Sequence, residues 1–423
     1  MYQEQDFTIS NAALLKYITK EKKDVAIIYI YAIISGLVQL SIPLGIQAIV
    51  AFVMGATMTT SLYILILFVV LGTFLAGLFR LKVMQIIEMI QQKIFVEYAL
   101  AFADKLPKVN LSATKKYYLP ELVNRFFDTQ SLQKGISKLL LEIPSALIQI
   151  FFGIILLSFY HPWFLVFGAI VIIIVVIIFR YTMKSGISSS LEESDKKYEV
   201  ASWLEDIAGA IKTFKINSNS DAHVIGTDDR VVGYLEHRTS HFKVLEFQYK
   251  TIIGFNIIIT LVMLTIGTYL LVNQQLNIGA FVATEIVVLT IMNAVERLIK
   301  SLESYYDVIA SLVKLNKVTN LPEEQNGKMI LERSSGGIDV VMDDISFAFN
   351  DHKPILKNIS FTLKPNTITV ISGTFGAGKS TLLNIMAGFY EPSSGVLTFD
   401  KIPLKNLDYN TPHFRDQKSG YLS

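Results

Sequence analysis

TITVISGTFGAGKSTLLNIMA, residues 367–387, decides the fold of one end of this chain. Its centre, Gly373-Thr374-Phe375-Gly376-Ala377-Gly378-Lys379-Ser380, has the spacing G-x-x-x-x-G-K-[ST]. The glycines let backbone N–H groups curl around phosphates, the lysine reaches the β and γ oxygens, and the hydroxyl holds Mg²⁺. Residues 367–372 read as a short buried strand entering the loop, and residues 379–387 as a helix leaving it. Strand, glycine loop and helix in that order predict an α/β nucleotide-binding unit.

The residues before it are of another kind. Hydrophobic residues make up 52% of the 423, and charged residues only 17%, which is not the balance of a soluble protein. The excess lies in runs. Val25 to Phe79 contains no charged residue or histidine, Ile143 to Phe179 is interrupted only by His161, and a third run from Thr251 meets its first charge at Glu285. Broken where turn and polar residues cluster, they predict six spans near 25–52, 61–84, 139–160, 163–183, 251–272 and 278–299, each about 20 residues or more. The first 24 residues carry Lys16, Lys20, Lys22 and Lys23, and the run behind them is too long for the core of a cleavable signal. The first segment is expected to stay as an anchor.

The charges sort these spans. The connections at 54–61, 158–163 and 273–279 hold no lysine or arginine, whereas Arg80 to Glu142 and Arg180 to Lys250 hold ten each. The positive-inside rule therefore places both long excursions, and both termini, in the cytoplasm. Gln85 to Leu106 and Glu199 to Phe214 keep apolar residues at helical spacing, so the membrane helices are expected to run on beyond the membrane. Leu111 to Asn124 and Tyr198 to Gly209 are candidate tips that dock on the nucleotide unit. A net charge of +2 without a basic, aromatic-interleaved stripe gives no reason for a nucleic-acid partner. The absence of cysteine excludes disulfides, zinc thiolates and a cysteine nucleophile.

Within the spans, Glu285 lies roughly 10 Å deep and should face a partner or a wet cavity, as a substrate-touching or a structural carboxylate. Glu296, Arg297 and Lys300 lie near the cytoplasmic edge, where snorkelling suffices. Pro43 removes a backbone donor and should kink the first span.

Six spans with short outer connections, two long inner excursions and a phosphate-binding loop after the last span resemble an ATP-binding cassette exporter of the half-transporter type. Pro43-Leu44-Gly45-Ile46-Gln47 is similar to the family's proline-bearing segment in its first span, and Asn277-Ile278-Gly279-Ala280-Phe281 to the motif opening its sixth. Ser346-Phe347-Ala348-Phe349 resembles the strand ending in the aromatic that stacks on adenine, and Glu391-Pro392-Ser393-Ser394-Gly395 the turn after the loop helix. The membrane half is most similar to the haemolysin and bacteriocin secretion branch. That branch often carries an amino-terminal peptidase domain, for which there is no room before Val25, so proteolytic processing is not expected of this chain. Phe375 stands where the family has a small polar residue, which leaves the backbone contacts intact.

The resemblance implies a six-helix, all-α membrane bundle followed by a truncated α/β P-loop domain. The expected division is 1–24 as an amino-terminal segment, 25–315 as the membrane domain, 316–335 as linker and 336–423 as the first part of the nucleotide domain. It implies ATP and Mg²⁺ as cofactors, with Phe349, Gly373, Thr374, Phe375, Gly376, Ala377, Gly378, Lys379, Ser380 and Thr381 on ATP and Ser380 on Mg²⁺. It also implies a multi-pass protein of the bacterial inner membrane, working as a homodimer or with a second half-transporter among lipids, and exporting a peptide, protein or other amphiphile.

The family's later catalytic parts follow its phosphate loop and cannot be placed before Ser423. Val396 to Asp400 imitates the strand ending in a Mg²⁺ aspartate but reads as a hairpin strand by position, and Ser334 to Gly337 reads as linker. The chain is thus expected to be a fragment of an exporter, binding ATP weakly without hydrolysing it. The alternative is a non-hydrolysing membrane partner of an intact subunit.

Overall fold

The computed structural model describes residues 12, 14–15, 17–55, 60–111, 119–216, 221–324, 327–331, 337–348 and 354–408. They divide into two compact units, one of residues 1–100 and 124–316, the other of residues 101–123 and 317–423.

The first unit is helical. Six helical stretches are long and apolar enough to cross a membrane: Lys22–Met54, Thr60–Lys108, Glu121–Tyr160, Trp163–Gly209, Ala222–Val272 and Ile278–Thr319. Each contains one of the six spans expected from the sequence, and most run far beyond it. The first is broken into α1 (Lys22–Gln39) and α2 (Ser41–Met54). Pro43 cannot donate to the carbonyl of Gln39, and the helix turns at Leu40, whose N–H bonds Leu37 instead. The others contain α3 (Thr60–Lys105), α4 (Asp128–Tyr160), α5 (Trp163–Gly209), α6 (Ala222–Val272) and α7 (Ile278–Thr319).

Burial ranks these helices. The most apolar window of α7 is 56% buried, against 17% for those of the first two stretches. Ile291, Ala294, Val295 and Ile299 of α7 are wholly enclosed and pack with Leu157 of α4, Val171 of α5 and Ile259 of α6. Conversely Leu67, Phe68 and Val70 of α3 are exposed. So apolar an outer face suits lipid rather than water.

At and beyond the ends of the spans, α5, α6 and α7 are joined by a buried polar network. Gln248 donates to the Tyr306 hydroxyl (2.9 Å), which donates to the Thr182 carbonyl (3.2 Å), and Ser189 shares a 2.9 Å hydrogen bond with His241 Nδ1. Burial pushes the pKa of His241 below its ordinary value, favouring the neutral ring. Gly186 makes the approach possible, because a Cβ there would lie 2.3 Å from the Tyr306 ring. A second junction lies nearby, where Lys314 of α7, buried at 0% side-chain exposure, ion-pairs with Asp195 of α5.

The second unit is built on a four-stranded sheet of order β2-β1-β3-β4, formed by β1 (Val340–Phe347), β2 (Leu356–Leu363), β3 (Ser394–Phe399) and β4 (Ile402–Pro403). All its pairings are antiparallel. Val340, Met342, Ile345 and Phe347 of β1 and Leu397 and Phe399 of β3 form its core with Leu382, Ile385 and Met386 of α8 (Lys379–Met386). Two non-local bridges complete the unit. Val109 pairs with Glu323, flanked by Asn110 N–H to Pro322 O (3.0 Å) and Glu324 N–H to Lys108 O (2.8 Å). Met329 pairs with Leu407, flanked by Gly327 N–H to Leu407 O at 2.8 Å. The described part of the expected linker is thus helix to Thr319, followed by bonded segments.

The segment entering the phosphate loop departs from expectation. Residues 367–372 join no ladder among the described residues, and Ile368 and Val370 are 96% and 82% exposed. Alternating β-branched residues supply strand propensity, but a buried strand needs ladder partners on both sides. The four strands here pair only with one another.

Candidate nucleotide-binding site

The loop is shaped by two glycines in the left-handed region, Gly376 (φ 80°) and Gly378 (φ 85°), where an L side chain is strained. Gly378 is the N-cap of α8, and its carbonyl accepts the first helical bond from Leu382 N–H at 2.9 Å. A Cβ on Gly378 would also lie 3.0 Å from both Ile355 and Leu356. The first-turn N–H groups of a helix have no intrahelical acceptor, and with the dipole they make its start a ready site for an anion.

Lys379 occupies the loop mouth. Its ammonium donates to the carbonyls of Gly373 (2.8 Å) and Thr374 (2.9 Å), with Ala377 N–H closing the turn onto Thr374 O at 3.2 Å. Two neutral acceptors hold the charge in place without neutralising it. Ser380 is exposed next to it and Thr381 half-buried, and Phe375 is fully exposed at 107%, its side chain out of the loop. Gly373, Thr374, Phe375, Gly376, Ala377, Gly378, Lys379, Ser380 and Thr381 therefore lie in one loop and helix start. These donors fit a polyphosphate. A Mg²⁺ ion would take the Ser380 hydroxyl together with phosphate oxygens and water, and no cluster of three or more acidic or histidine ligands occurs among the described residues.

Other sequence candidates fall elsewhere. Phe349 lies outside the described residues, as do Tyr118 in one candidate tip and Ser334, Ser335 and Gly336 of the second motif look-alike. Phe347, two residues earlier, is buried in the core and stacked on Tyr390 with centroids 5.7 Å apart and planes at 18°. Asp400 follows β3, where its Oδ1 accepts from Asp339 N–H at 2.8 Å and so ties the end of β3 to the residue before β1. Glu285 is half-buried in α7, and its Oε2 is buried without a hydrogen-bond partner.

Arg297 requires a correction. It does not merely snorkel: its side chain ion-pairs with Glu142 (3.3 Å) and donates to Gln149, which donates to Gln39 at 2.7 Å. The signal was present in Gln39, Glu142 and Gln149, polar residues within or at the edge of otherwise apolar runs.

Comparison with known proteins places this geometry. The family model described as ABC transporter transmembrane region matches residues 25–295, and that described as ABC transporter matches residues 356–423. The lactococcin-A transport/processing ATP-binding protein LcnC of Lactococcus lactis subsp. lactis is 24% identical over 410 residues, covering 94% of this chain and 55% of that protein. The alpha-hemolysin translocation ATP-binding protein HlyB of Escherichia coli is 29% identical over 214 residues, covering 49% of this chain and 30% of that protein. The chain thus spans about half the length of the first relative, and less of the second. In fold it is similar to a bacterial Atm1-family ABC exporter with ATP bound, at a TM-score of 0.77 and 17% identity, over 91% of this chain and 69% of that one. With the transmembrane family model covering well over half of its residues, beside a loop shaped for polyphosphate, the chain belongs to the ABC transporters.

Proposed function

We propose that this chain is a subunit of an ATP-driven exporter that moves a peptide, protein or other amphiphile out of the bacterial cytoplasm. One observation carries this reading: a loop with left-handed glycines and a lysine poised at a helix start occurs in the same chain as six membrane-length helices. The similarity to proteins named for lactococcin-A transport/processing and alpha-hemolysin translocation supports a peptide or protein substrate. The ten lysines and arginines on each long excursion support the orientation, with those excursions and both termini in the cytoplasm. Six spans make half a pathway, so the working form is a dimer of two such chains or a pair with a second half-transporter. ATP binding closes the nucleotide domains, the long helices carry the motion, and the spans alternate access.

Within the loop, Gly373 to Thr381 hold the phosphates and Ser380 the Mg²⁺, while Phe349 is assigned to adenine. No residue from 373 to 381 is acidic, so the loop grips phosphate but supplies no general base. The 423-residue chain in nanodiscs is therefore expected to bind MgATP and release no phosphate. Ser380→Ala should abolish the gain in ATP affinity that Mg²⁺ confers. Mg²⁺-dependent phosphate release above that of Lys379→Ala protein would overturn the non-hydrolysing assignment, and an unchanged Mg²⁺ effect would overturn that of Ser380.

Glu285 is assigned to the transport pathway, because a carboxylate oxygen buried without a partner is costly in a span unless another species meets it. Glu285→Gln should lower substrate transport at unchanged ATP affinity. Unchanged transport of every substrate tried would make the residue structural.

A further inference from the structure

The chain between α7 and β1 is bonded at two points rather than hanging free. α7 ends at Thr319, and the residues that follow pair with the end of α3: Asn110 N–H donates to Pro322 O (3.0 Å) and Glu324 N–H to Lys108 O (2.8 Å), flanking the Val109–Glu323 bridge. Val109 is buried there, and Lys105 ion-pairs with Glu323 at 2.8 Å. Residues 327–329 pair in turn with the segment after β4: Gly327 N–H to Leu407 O, Met329 N–H to Asn406 O and Asp408 N–H to Met329 O, each 2.8 Å. Leu331 and Leu407 then enter the core of the sheet.

Neither anchor is a local turn. Lys105 and Glu323 are 218 residues apart in sequence, and ordering so long a loop costs chain entropy that the bridge must overcome. At the second anchor a Cβ on Gly327 would lie 2.0 Å from the backbone carbon of Asn406, so only glycine lets the strands approach. From Glu324 to Gly327 the chain stretches to at most about 11 Å, which leaves little slack between the anchors. All the bonded residues belong to the second unit, and α3 and α7 run from it into the first as continuous helices.

The two helices are thereby tied to the sheet by different means. α7 reaches it through the chain itself. α3 reaches it through the bridge, because its own chain goes on to α4, α5 and α6 before returning. The backbone bonds carry this tie, since Glu323 is half-exposed and its ion pair with Lys105 adds little. A displacement of the sheet is then felt at the ends of α3 and α7 together.

We propose that segments 322–324 and 327–329 form a strap that makes the ends of α3 and α7 respond together when nucleotide occupies the phosphate loop. This rests on the reading of residues 373–381 as an ATP site.

The test is amide hydrogen exchange of the 423-residue protein in nanodiscs, with and without MgATP. In wild type, MgATP should slow exchange about fivefold or more, the low end of coupling between sites, in α8, in the last turns of α7 and in the last turns of α3. Asn110→Pro combined with Glu324→Pro removes both bridging donors. The residues before them, Val109 and Glu323, lie in the bridge, and Val109 has the extended backbone (φ −69°, ψ 132°) that a residue before proline prefers. In that variant the α3 effect should fall to about unity while α8 and α7 keep theirs, and Glu324→Pro alone should lose part of it. A second measurement needs no nucleotide. An antiparallel pair flanked by its hydrogen bonds has Cα atoms about 4.5 Å apart, within reach of a disulfide. With no other cysteine in the chain, Val109→Cys with Glu323→Cys should close an intrachain disulfide on mild oxidation. Failure to close it, or an undiminished α3 effect in the double proline variant, would overturn the strap. A silent α3 in wild type beside responding α7 and α8 would overturn it as well. An unchanged α8 would instead refute the ATP site.

Discussion

Lys379→Ala is expected to weaken ATP binding by ~10–100-fold, the range spanned by removing one or two hydrogen bonds to a charged group. The ammonium sits 2.8 and 2.9 Å from the carbonyls of Gly373 and Thr374, so it is positioned at the loop mouth before any phosphate arrives. Little side-chain order remains to be lost on binding, and the charge is still available to the β and γ oxygens. Alanine suits the first turn of α8 as well as lysine does, so the helix should persist. Phe375→Ala is the matched control: its fully exposed side chain leaves the loop, and its removal should leave affinity within about twofold. Titration of MgATP onto each protein in nanodiscs decides the matter. Equal affinity of Lys379→Ala and wild type would remove the lysine from the phosphate site.

Asp195→Ala is expected to cause a large loss of stability. Its partner Lys314 is wholly enclosed, its ammonium 5.8 Å from the centre of the Tyr198 ring. Removing the carboxylate takes an anionic partner from a buried positive charge, a change that costs 3–5 kcal/mol for fully buried pairs and here about 2–3 kcal/mol, since Asp195 itself is one-third exposed. For a unit of this size that lowers the thermal midpoint by roughly 5–10 °C. Adding Lys314→Met to Asp195→Ala should restore most of the loss, because an unbranched apolar chain fills the same space without a charge. An unchanged midpoint in the single variant would show that the pair does not join α5 to α7.

The sequence revealed the parts of this molecule that depend on local pattern. Uncharged runs located all six spans because lipid tolerates little else, and helical spacing in Gln85 to Leu106 showed that α3 continues past its span. The phosphate loop was legible because its glycines are required by backbone geometry, and both Gly376 and Gly378 have positive φ. What depends on distant neighbours was not legible. The strand expected at 367–372 has the right residues but no ladder partner among those described, and pairing is not a property of the segment itself. Arg297 and Glu142 lie far apart in sequence, and only the bundle brings them within 3.3 Å. Lys314 stands in a helix with no mark to distinguish it from a solvated lysine, yet it is among the most deeply buried side chains of the bundle. The stack of Phe347 on Tyr390 likewise needs the turn after α8 to return to β1.

The absence of cysteine makes one measurement decisive. Phe375→Cys places a single thiol on the phosphate loop and Gln275→Cys places one on the short, exposed connection between α6 and α7. A membrane-impermeant maleimide applied to intact cells and to inverted vesicles should label Gln275→Cys only in the cells and Phe375→Cys only in the vesicles. Labelling of both positions from the same side would contradict an exporter subunit whose phosphate loop lies on the cytoplasmic face.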